Sequence, residues 1–284
     1  MAKTLRQIIA ENAPLIVPSI YDGISALVLK EFDFKAAYIG SYATGATRYG
    51  VADIGYIGVE DMADQVRRLS SIIEVPIIVD GEGGWGNPLH VARSVRLLER
   101  AGAAATHIED HEFGKHVTAK PRVIPVGRAV DKIKAALDAR ASEDFLVIAR
   151  TDSAGAEGPD AAIDRLLAYQ EAGADGLFMA GVLNAEQKQR LRSEATVPLV
   201  APDFPGLTTE DYEADGTAVV LYYGLSHLAA QAAYRDAFSV LAKERSSVSL
   251  DERLVGIPAI MGFDSFLGVA QVREDARKYG LTED

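Results

Sequence analysis

Eight short apolar runs alternate with helix-like stretches along this chain, and that alternation constrains its fold more than any other feature. The runs are Leu15–Asp22, Ala36–Ser41, Pro76–Asp80, Ala105–Asp110, Asp144–Asp152, Asp175–Gly181, Val197–Ala201 and Ala218–Tyr223. Apolar residues in an unbroken row read as strands buried on both faces, the pattern of a parallel sheet. Helical spacing follows Ala26 to Lys30, recurs at 59–73 with Met62, Val66 and Leu69 on one face, and continues at 89–101, 126–140 and 159–172. Two of these helices end in Ala-Gly-Ala, at 101–103 and 172–174, where glycine stops the helix ahead of the next strand. Eight strands alternating with helices predict a (β/α)8 TIM-type barrel, and 284 residues suit one such domain. A short amphipathic helix at 3–12, with Leu5, Ile8 and Ile9, is expected to cap it. Tyr42 to Tyr56 reads as a glycine-spaced loop, 111–125 as a polar loop and 246–258 as a loop without a strong pattern. Residues 226–244 and 262–279 read as helices, the latter standing apart, so 1–284 is taken as a single barrel domain with 246–284 as a C-terminal extension. An amphipathic helix outside a barrel must bury its apolar face, and a neighbouring subunit is a natural candidate.

The chemistry is expected around Pro76-Ile-Ile-Val-Asp-Gly-Glu-Gly-Gly-Trp-Gly-Asn87. Its apolar start reads as a buried strand, and its glycines as a tight turn where backbone approaches a ligand. Asp80 and Glu82 would then stand at the C-terminal end of the strand, the face that binds substrate in parallel α/β folds. Glu109 and Asp110 end the next run in the same way. Acids gathered at adjacent strand ends make an oxygen-rich site suited to a hard cation such as magnesium, although each acid alone more often caps the helix that follows it.

Composition narrows the field. The net charge of −12, without a long basic run, argues against a nucleic-acid partner. Any anionic substrate must therefore be held by local positive groups or by a metal. The absence of cysteine excludes disulfides, thiolate catalysis and cysteine-ligated zinc or iron–sulfur centres. No apolar run reaches the ~20 residues of a membrane span and no secretory core is visible at the N-terminus, so a cytoplasmic protein is expected.

Several motifs, in order over about residues 5 to 275, resemble the isocitrate lyase/phosphoenolpyruvate mutase superfamily. They are Pro18-Ser-Ile-Tyr-Asp-Gly-Ile-Ser-Ala26, Gly40-Ser41, Asp80 to Asn87, His107-Ile-Glu-Asp110, Ile148-Ala-Arg-Thr-Asp152 and Tyr169-Gln-Glu-Ala-Gly-Ala-Asp175. Within it the chain looks closest to the methylisocitrate lyase, oxaloacetate decarboxylase and carboxyphosphonate mutase-like group. The resemblance implies a Mg2+-dependent barrel (Mn2+ a possible substitute) that binds α-oxo or α-hydroxy carboxylates and passes through a metal-bound enolate. It also implies a homotetramer whose C-terminal helices swap between subunits. It makes Asp80 a direct metal ligand, sets Glu82 where relatives carry aspartate, and makes Glu109 the acid that holds metal waters. Gly40, Ser41 and Tyr42 would grip the substrate carboxylate, Tyr21 and Asp22 would line the pocket, and Arg150 would reach the substrate oxygen through its planar fork of donors.

The chain also departs from the family pattern. The lyases carry a loop Lys-Lys/Arg-Cys-Gly-His whose cysteine serves as acid; here Lys115 matches the first lysine and Val117 falls at the cysteine. Lys115 and His116 are taken with Arg150 as the catalytic set, with Lys120 and His111 as further candidates for the acid and His227 as a residue that could reach the pocket mouth. Strand six offers Ala180, where phosphonate-handling relatives have histidine and lyases glutamate, and strand seven offers Pro202 where many relatives have asparagine. The reading is a lyase that cleaves a C–C bond of a small 2-oxo or 2-hydroxy carboxylic acid, by oxaloacetate-type decarboxylation or retro-aldol cleavage. The alternatives are a phosphonate mutase or hydrolase, and an inactive carboxylate-binding barrel.

Overall fold

The computed structural model describes residues 3–117 and 120–281. Thr118 and Ala119 of the loop expected at 111–125, and the last three residues of the expected extension, lie outside the described residues. Two compact units result, Met1–His227 and Leu228–Asp284.

The first unit is the barrel. Its strands are β1 (Leu15–Pro18), β2 (Ala37–Ile39), β3 (Ile77–Asp80), β4 (Ala105–Glu109), β5 (Leu146–Thr151), β6 (Gly176–Met179), β7 (Leu199–Pro202) and β8 (Thr217–Tyr222). All the pairings are parallel, in the order β1-β8-β7-β6-β5-β4-β3-β2. The ring is nearly closed: the seam between β1 and β2 is held by a bridge from Ser19 to Tyr38, with the Ile20 N–H donating to the Tyr38 carbonyl at 2.9 Å.

Around the strands lie α1 (Leu5–Asn12), α2 (Gly23–Leu29), α3 (Ser41–Tyr49), α4 (Val59–Ser70), α5 (Pro88–Ala101), α6 (Val126–Ala139), α7 (Ala154–Glu157), α8 (Pro159–Glu171), α9 (Ala185–Glu194) and α10 (Thr209–Ala214). Their caps follow the sequence. Asn87 accepts from the Leu89 and His90 N–H groups ahead of Pro88, and Gly102 ends α5 in the left-handed conformation.

Two apolar layers result. Outside the strands, Met62, Val66 and Leu69 of α4 join Val91, Val95 and Leu98 of α5 and Ile163 and Leu166 of α8 against the sheet. Inside, Val17, Tyr38, Ile78, Ile148, Phe178, Val200 and Leu221 fill the barrel, and Leu5 and Ile9 of α1 plug its lower end. The plug is tied by charge. Buried Asp175, just ahead of β6, accepts from Arg6 at 2.7 Å, from Arg140 at 2.5 Å and from the Val147 N–H at 2.9 Å.

Three expectations are corrected. The stretch read as a loop from Tyr42 to Tyr56 opens with a helix, α3, because burying Ala43, Thr44 and Gly45 against the barrel outweighs their poor helix propensity. The helix read as continuous at 262–279 is two helices, α12 (Gly256–Phe266) and α13 (Val269–Lys278), broken where Gly268 turns left-handed at φ 80°. The patternless loop ends earlier than expected, at Gly256 rather than Pro258, because Pro258 in the first turn of α12 has no intrahelical N–H bond to lose. Between β6 and β8, α9 and α10 escape a pattern-based reading. Leu191 is the only buried residue of α9, and α10 has six residues.

The last helix of the barrel unit, α11 (Leu225–Glu244), carries on into the second unit, where α12 and α13 follow. Within the second unit Ile257, Ile260, Met261 and Phe263 are exposed on α12.

The plug predicts a stability effect. Asp175→Ala leaves two arginines without their shared acceptor and should cost about 2–3 kcal/mol of unfolding free energy, the worth of hydrogen bonds to a charged group. Urea denaturation of the two proteins measures it; a loss below about 0.5 kcal/mol, the scale of a surface substitution, would show that the plug does not depend on this carboxylate.

Candidate active site

Strand alternation decides which side chains face the barrel mouth. Ile78 faces inward, so Asp80 does too; Ala105 faces inward, so His107 and Glu109 do; Ile148 faces inward, so Arg150 does. The ladders place these side by side, Asp80 opposite His107 and Glu109 opposite Arg150. After β3 the chain turns sharply through Gly81 to Gly86. An added Cβ on Gly81 would lie 2.5 Å from Thr106 Oγ1 and 2.6 Å from the His107 carbonyl, so only glycine lets the turn approach β4 this closely. Glu82 and Trp85 adopt left-handed conformations in the same turn, at φ 49° and 56°, a local strain of the kind that collects at functional sites.

Asp80 is held from two sides. Its Oδ2 accepts from the Ser41 hydroxyl at 2.7 Å and the Ser41 N–H at 3.2 Å, and its Oδ1 from the Glu82 N–H at 2.9 Å. Below it lies His107, fully buried, with Nε2 2.9 Å from the Tyr38 hydroxyl and Nδ1 3.6 Å from Asp80 Oδ1. Burial drives His107 down to about 4 and so keeps it neutral. Burial alone would also raise Asp80, but His107, Lys115 and Arg150 reverse this and hold its carboxyl well below the ordinary range.

The loop after β4 brings Lys115 into the acids. Its buried ammonium lies 3.0 Å from Glu82 Oε2, 3.4 Å from Glu109 Oε1 and 3.6 Å from Asp53 Oδ1. Burial opposes that charge, yet Glu109, Asp80 and Glu82 push the lysine above its usual value. Burial raises Glu109 to about 8 despite Lys115 and Arg150, and it raises Glu82 with help from Asp80. Arg150 grips Asp152 through two bonds, Nε at 2.9 Å and Nη2 at 2.8 Å, while Nη1 stands 3.4 Å from Glu109 and the guanidinium lies over the Phe178 ring. Next to Lys115, His116 reaches Asp53 at 3.4 Å from a left-handed backbone, φ 64°.

The expected residues divide by role. Asp80, Glu82, Glu109, Lys115, Arg150 and Ser41 come together. Asp22 instead accepts from the Ser25 N–H at 2.8 Å as the cap of α2, and Tyr21 and Tyr42 turn their rings toward His227. Asp110 faces the other side of the sheet, where it accepts from Thr151 at 2.6 Å, Tyr169 at 2.8 Å, the Asp152 N–H at 3.0 Å and Arg165 at 3.4 Å; that makes it a strut of the scaffold. Trp85 packs on the outer core and donates to the Ile57 carbonyl at 3.0 Å. His227 is buried, and neither ring nitrogen has a partner among the described residues. Sequence reasoning missed Asp53, a single acid in a glycine- and tyrosine-spaced stretch, and the Tyr38–His107 pair, whose only signal is a polar residue in each of two strand interiors.

Two cavities open here. One, of about 310 Å³, lies beneath the loop between Glu82, Trp85, Glu109, Lys115 and Lys132. The other, of about 420 Å³, lies toward β5 and β6 between His116, Asp152 and Ala180; His111 lines both. A third, of about 380 Å³, contains none of these residues and sits outside the barrel among Leu177, Leu191, Leu199 and Tyr212.

The donor set can be tested against a divalent cation. Among the described residues no three His, Asp or Glu side chains close into a ready-made cage. Magnesium does not need one, since it keeps waters and binds through one or two carboxylates. Glu82 Oε1 is buried without a hydrogen-bond partner among the described residues, and a positive charge, the Lys115 ammonium, already sits among the carboxylates. The oxygens fit a hard cation.

The phosphoenolpyruvate phosphomutase family model matches residues 5–242. The chain belongs to that family. It is 35% identical to an oxaloacetate decarboxylase from Rhodopseudomonas palustris, over 80% of this chain and 79% of that protein. It is 29% identical to a 2,3-dimethylmalate lyase from Eubacterium barkeri, over 98% of each. Among solved structures, a phosphonopyruvate hydrolase in complex with oxalate and Mg2+ superposes with a TM-score of 0.85 at 26% identity, covering 97% of each chain. The barrel and the superfamily inferred from the motifs are thus confirmed, while these relatives carry out different reactions.

The neutral His107 predicts a pH effect on stability. Its folded value lies below the ordinary histidine range, so the unfolded chain binds the proton more readily, and the contribution is present above about 6.5 and lost as pH falls toward about 4. His107→Gln keeps a partner for Tyr38 and removes the titration. The urea midpoint of the variant should therefore fall less than that of the parent between these pH values; parallel curves would show that His107 titrates normally.

Proposed function

We propose that the protein is a Mg2+-dependent lyase that breaks a C–C bond of a small 2-oxo or 2-hydroxy carboxylic acid through an enolate. The observation that carries this reading is the meeting of Asp80, Glu82 and Glu109 with Lys115 and Arg150 at the ends of β3, β4 and β5 in a member of this family. Its relatives are named as lyases and decarboxylases of such acids.

Asp80, Glu82 and Glu109 would hold the cation, Asp80 directly and Glu109 through water. Bound there, magnesium would act as a Lewis acid toward the substrate's carbonyl and carboxylate. The chain's own groups do the rest. Ser41 fixes the Asp80 carboxylate through its hydroxyl and N–H, which keeps α3 and its Gly40–Tyr42 start beside the acids, where a substrate carboxylate would be gripped. Arg150, locked in place by Asp152, presents positive charge where an enolate oxygen gains electrons. Lys115 balances the carboxylates on the opposite side. His116, steadied by Asp53 at the loop, is the acid that returns a proton to carbon in place of the family's cysteine. Phosphonate chemistry is the second reading, supported by the solved hydrolase, and Ala180 in place of a strand-six histidine argues against it.

The reading includes a cytoplasmic homotetramer in which each chain is one barrel domain extended by 246–284. The apolar residues that α12 exposes support helices exchanged between subunits.

Asp80→Ala should abolish magnesium-dependent turnover and leave the circular dichroism spectrum unchanged, since strand-end acids serve the site rather than the core. Full activity in that variant with magnesium stripped by EDTA would end the reading. His116→Ala should lower kcat about 10²-fold, the scale of one general acid. An unaltered kcat would return His116 to solvent and leave the acid to another group of the loop.

A further inference from the structure

One cation beside the acids has no carboxylate partner. Lys132 stands on α6, whose Ala129, Ile133 and Ala136 are buried in the outer core, so its backbone is fixed to the barrel. Its side chain is half-buried and lines the cavity of about 310 Å³ together with Glu82, Glu109 and Lys115. Among the described residues Lys132 makes no ion pair, and its one hydrogen bond runs from Nζ to the Gly83 carbonyl at 2.8 Å. Burial draws its ammonium below the ordinary lysine value, and Glu109 and Asp110 only partly oppose this. The charge is thus kept at a cost, and what it holds is a single peptide carbonyl.

That carbonyl lies at a weak point of the turn after β3. The first half of the turn is bonded to the strands. The Gly81 N–H donates to the His107 carbonyl, the Glu82 N–H to Asp80 and the Glu109 N–H to the Glu82 carbonyl, each at 2.9 Å. The second half has left the ladder. The Gly83–Gly84 peptide keeps a bond from the Gly84 N–H back to the Gly81 carbonyl at 2.9 Å, but this bond is internal to the turn. Beyond it, Ser94 reaches the Gly84 carbonyl at a long 3.4 Å, and Trp85 reaches the Ile57 carbonyl at 3.0 Å. The bond from Lys132 is the shortest of these outside ties and the one that carries charge. A peptide flanked by two glycines has no Cβ on either side to resist rotation. Glu82, immediately before it, sits at φ 49°, a strained value that its surroundings must enforce.

We propose that Lys132 is a positioning residue, whose bond to the Gly83 carbonyl latches the turn so that Glu82 faces the cation. The inference rests on the reading of Asp80, Glu82 and Glu109 as the cation's ligands. The two lysines of the cavity then divide the work. Lys115 meets the Glu82 carboxylate itself at 3.0 Å, and Lys132 holds the backbone behind it. Position and charge make opposite predictions here. A positive group near a magnesium site repels the ion, so removing it by charge alone tightens binding. Removing a latch loosens binding.

Magnesium binding to the full chain, measured by calorimetry without substrate, decides between them. Lys132→Met keeps the apolar stem and loses the donor. Its Kd for magnesium should rise at least about tenfold, the scale of losing a group that orients a metal ligand. Lys132→Arg restores a donor and should recover most of that loss. In the metal-free proteins, amide exchange read by mass spectrometry should quicken over residues 81–87 in Lys132→Met, while the strands keep the rates of the parent. An unchanged or tighter Kd in Lys132→Met overturns the inference, and so does a looser Kd with unchanged exchange over the turn. Quickened exchange throughout the barrel would assign Lys132 to overall stability and overturns it as well. A parent chain that binds no magnesium removes the reading of the ligands, and this inference with it.

Discussion

A buried balance of charge at the barrel mouth is the constraint on which the rest of the molecule depends. Asp80, Glu82 and Glu109 are all nearly inaccessible to water, and so is Lys115 among them. Any one of these groups alone would be expensive to keep ionised in such surroundings. They are held together because β3, β4, β5 and the loop after β4 deliver opposite charges to one place. Removing Lys115 leaves Glu82 buried with no cation at ion-pair distance among the described residues, which is far more costly than the loss of a surface ion pair.

Strand periodicity lets one short segment serve both the candidate site and the scaffold. In His107-Ile-Glu-Asp110 the histidine and glutamate point into the barrel, while the aspartate that follows points away and takes donors from β5 and α8. The segment Arg150-Thr-Asp152 repeats this division. Arg150 faces the mouth beside Glu109, while Thr151 and the Asp152 N–H bond to Asp110. The two motifs are therefore locked to each other twice, once on each face of the sheet, and a slip of one residue in either strand would exchange chemistry for scaffold.

The barrel was legible in the sequence because its strands are unbroken apolar runs and several of its helices carry clear stripes and glycine stops. The gathering of Asp80, Glu82, Glu109 and Arg150 was legible because Asp80 and Glu109 end strands, Arg150 lies one residue from a strand end and Glu82 sits in the glycine turn just after β3. Other features were not legible, for physical reasons. Asp53 meets Lys115 and His116 only through tertiary folding, with no local pattern marking it. The helix α3 carries glycine and β-branched residues whose local preference is overruled by burial. The break at Gly268 had its signal, a glycine, but apolar residues on both sides continue a helical spacing across it. Asp22 and Asp110 show the limit of reading acids by position alone, since a carboxylate at a strand end can as readily cap or brace as bind.

The chain has a single tryptophan, and the fold places it in the turn that carries Glu82. Trp85 is pinned by its bond to the Ile57 carbonyl and walls the cavity that Glu82, Glu109 and Lys115 also line. Indole emission responds to nearby charge and to water, so the intrinsic fluorescence of this protein is an optical channel onto its own site. Changes in the acids beside it can be followed without a label and without turnover.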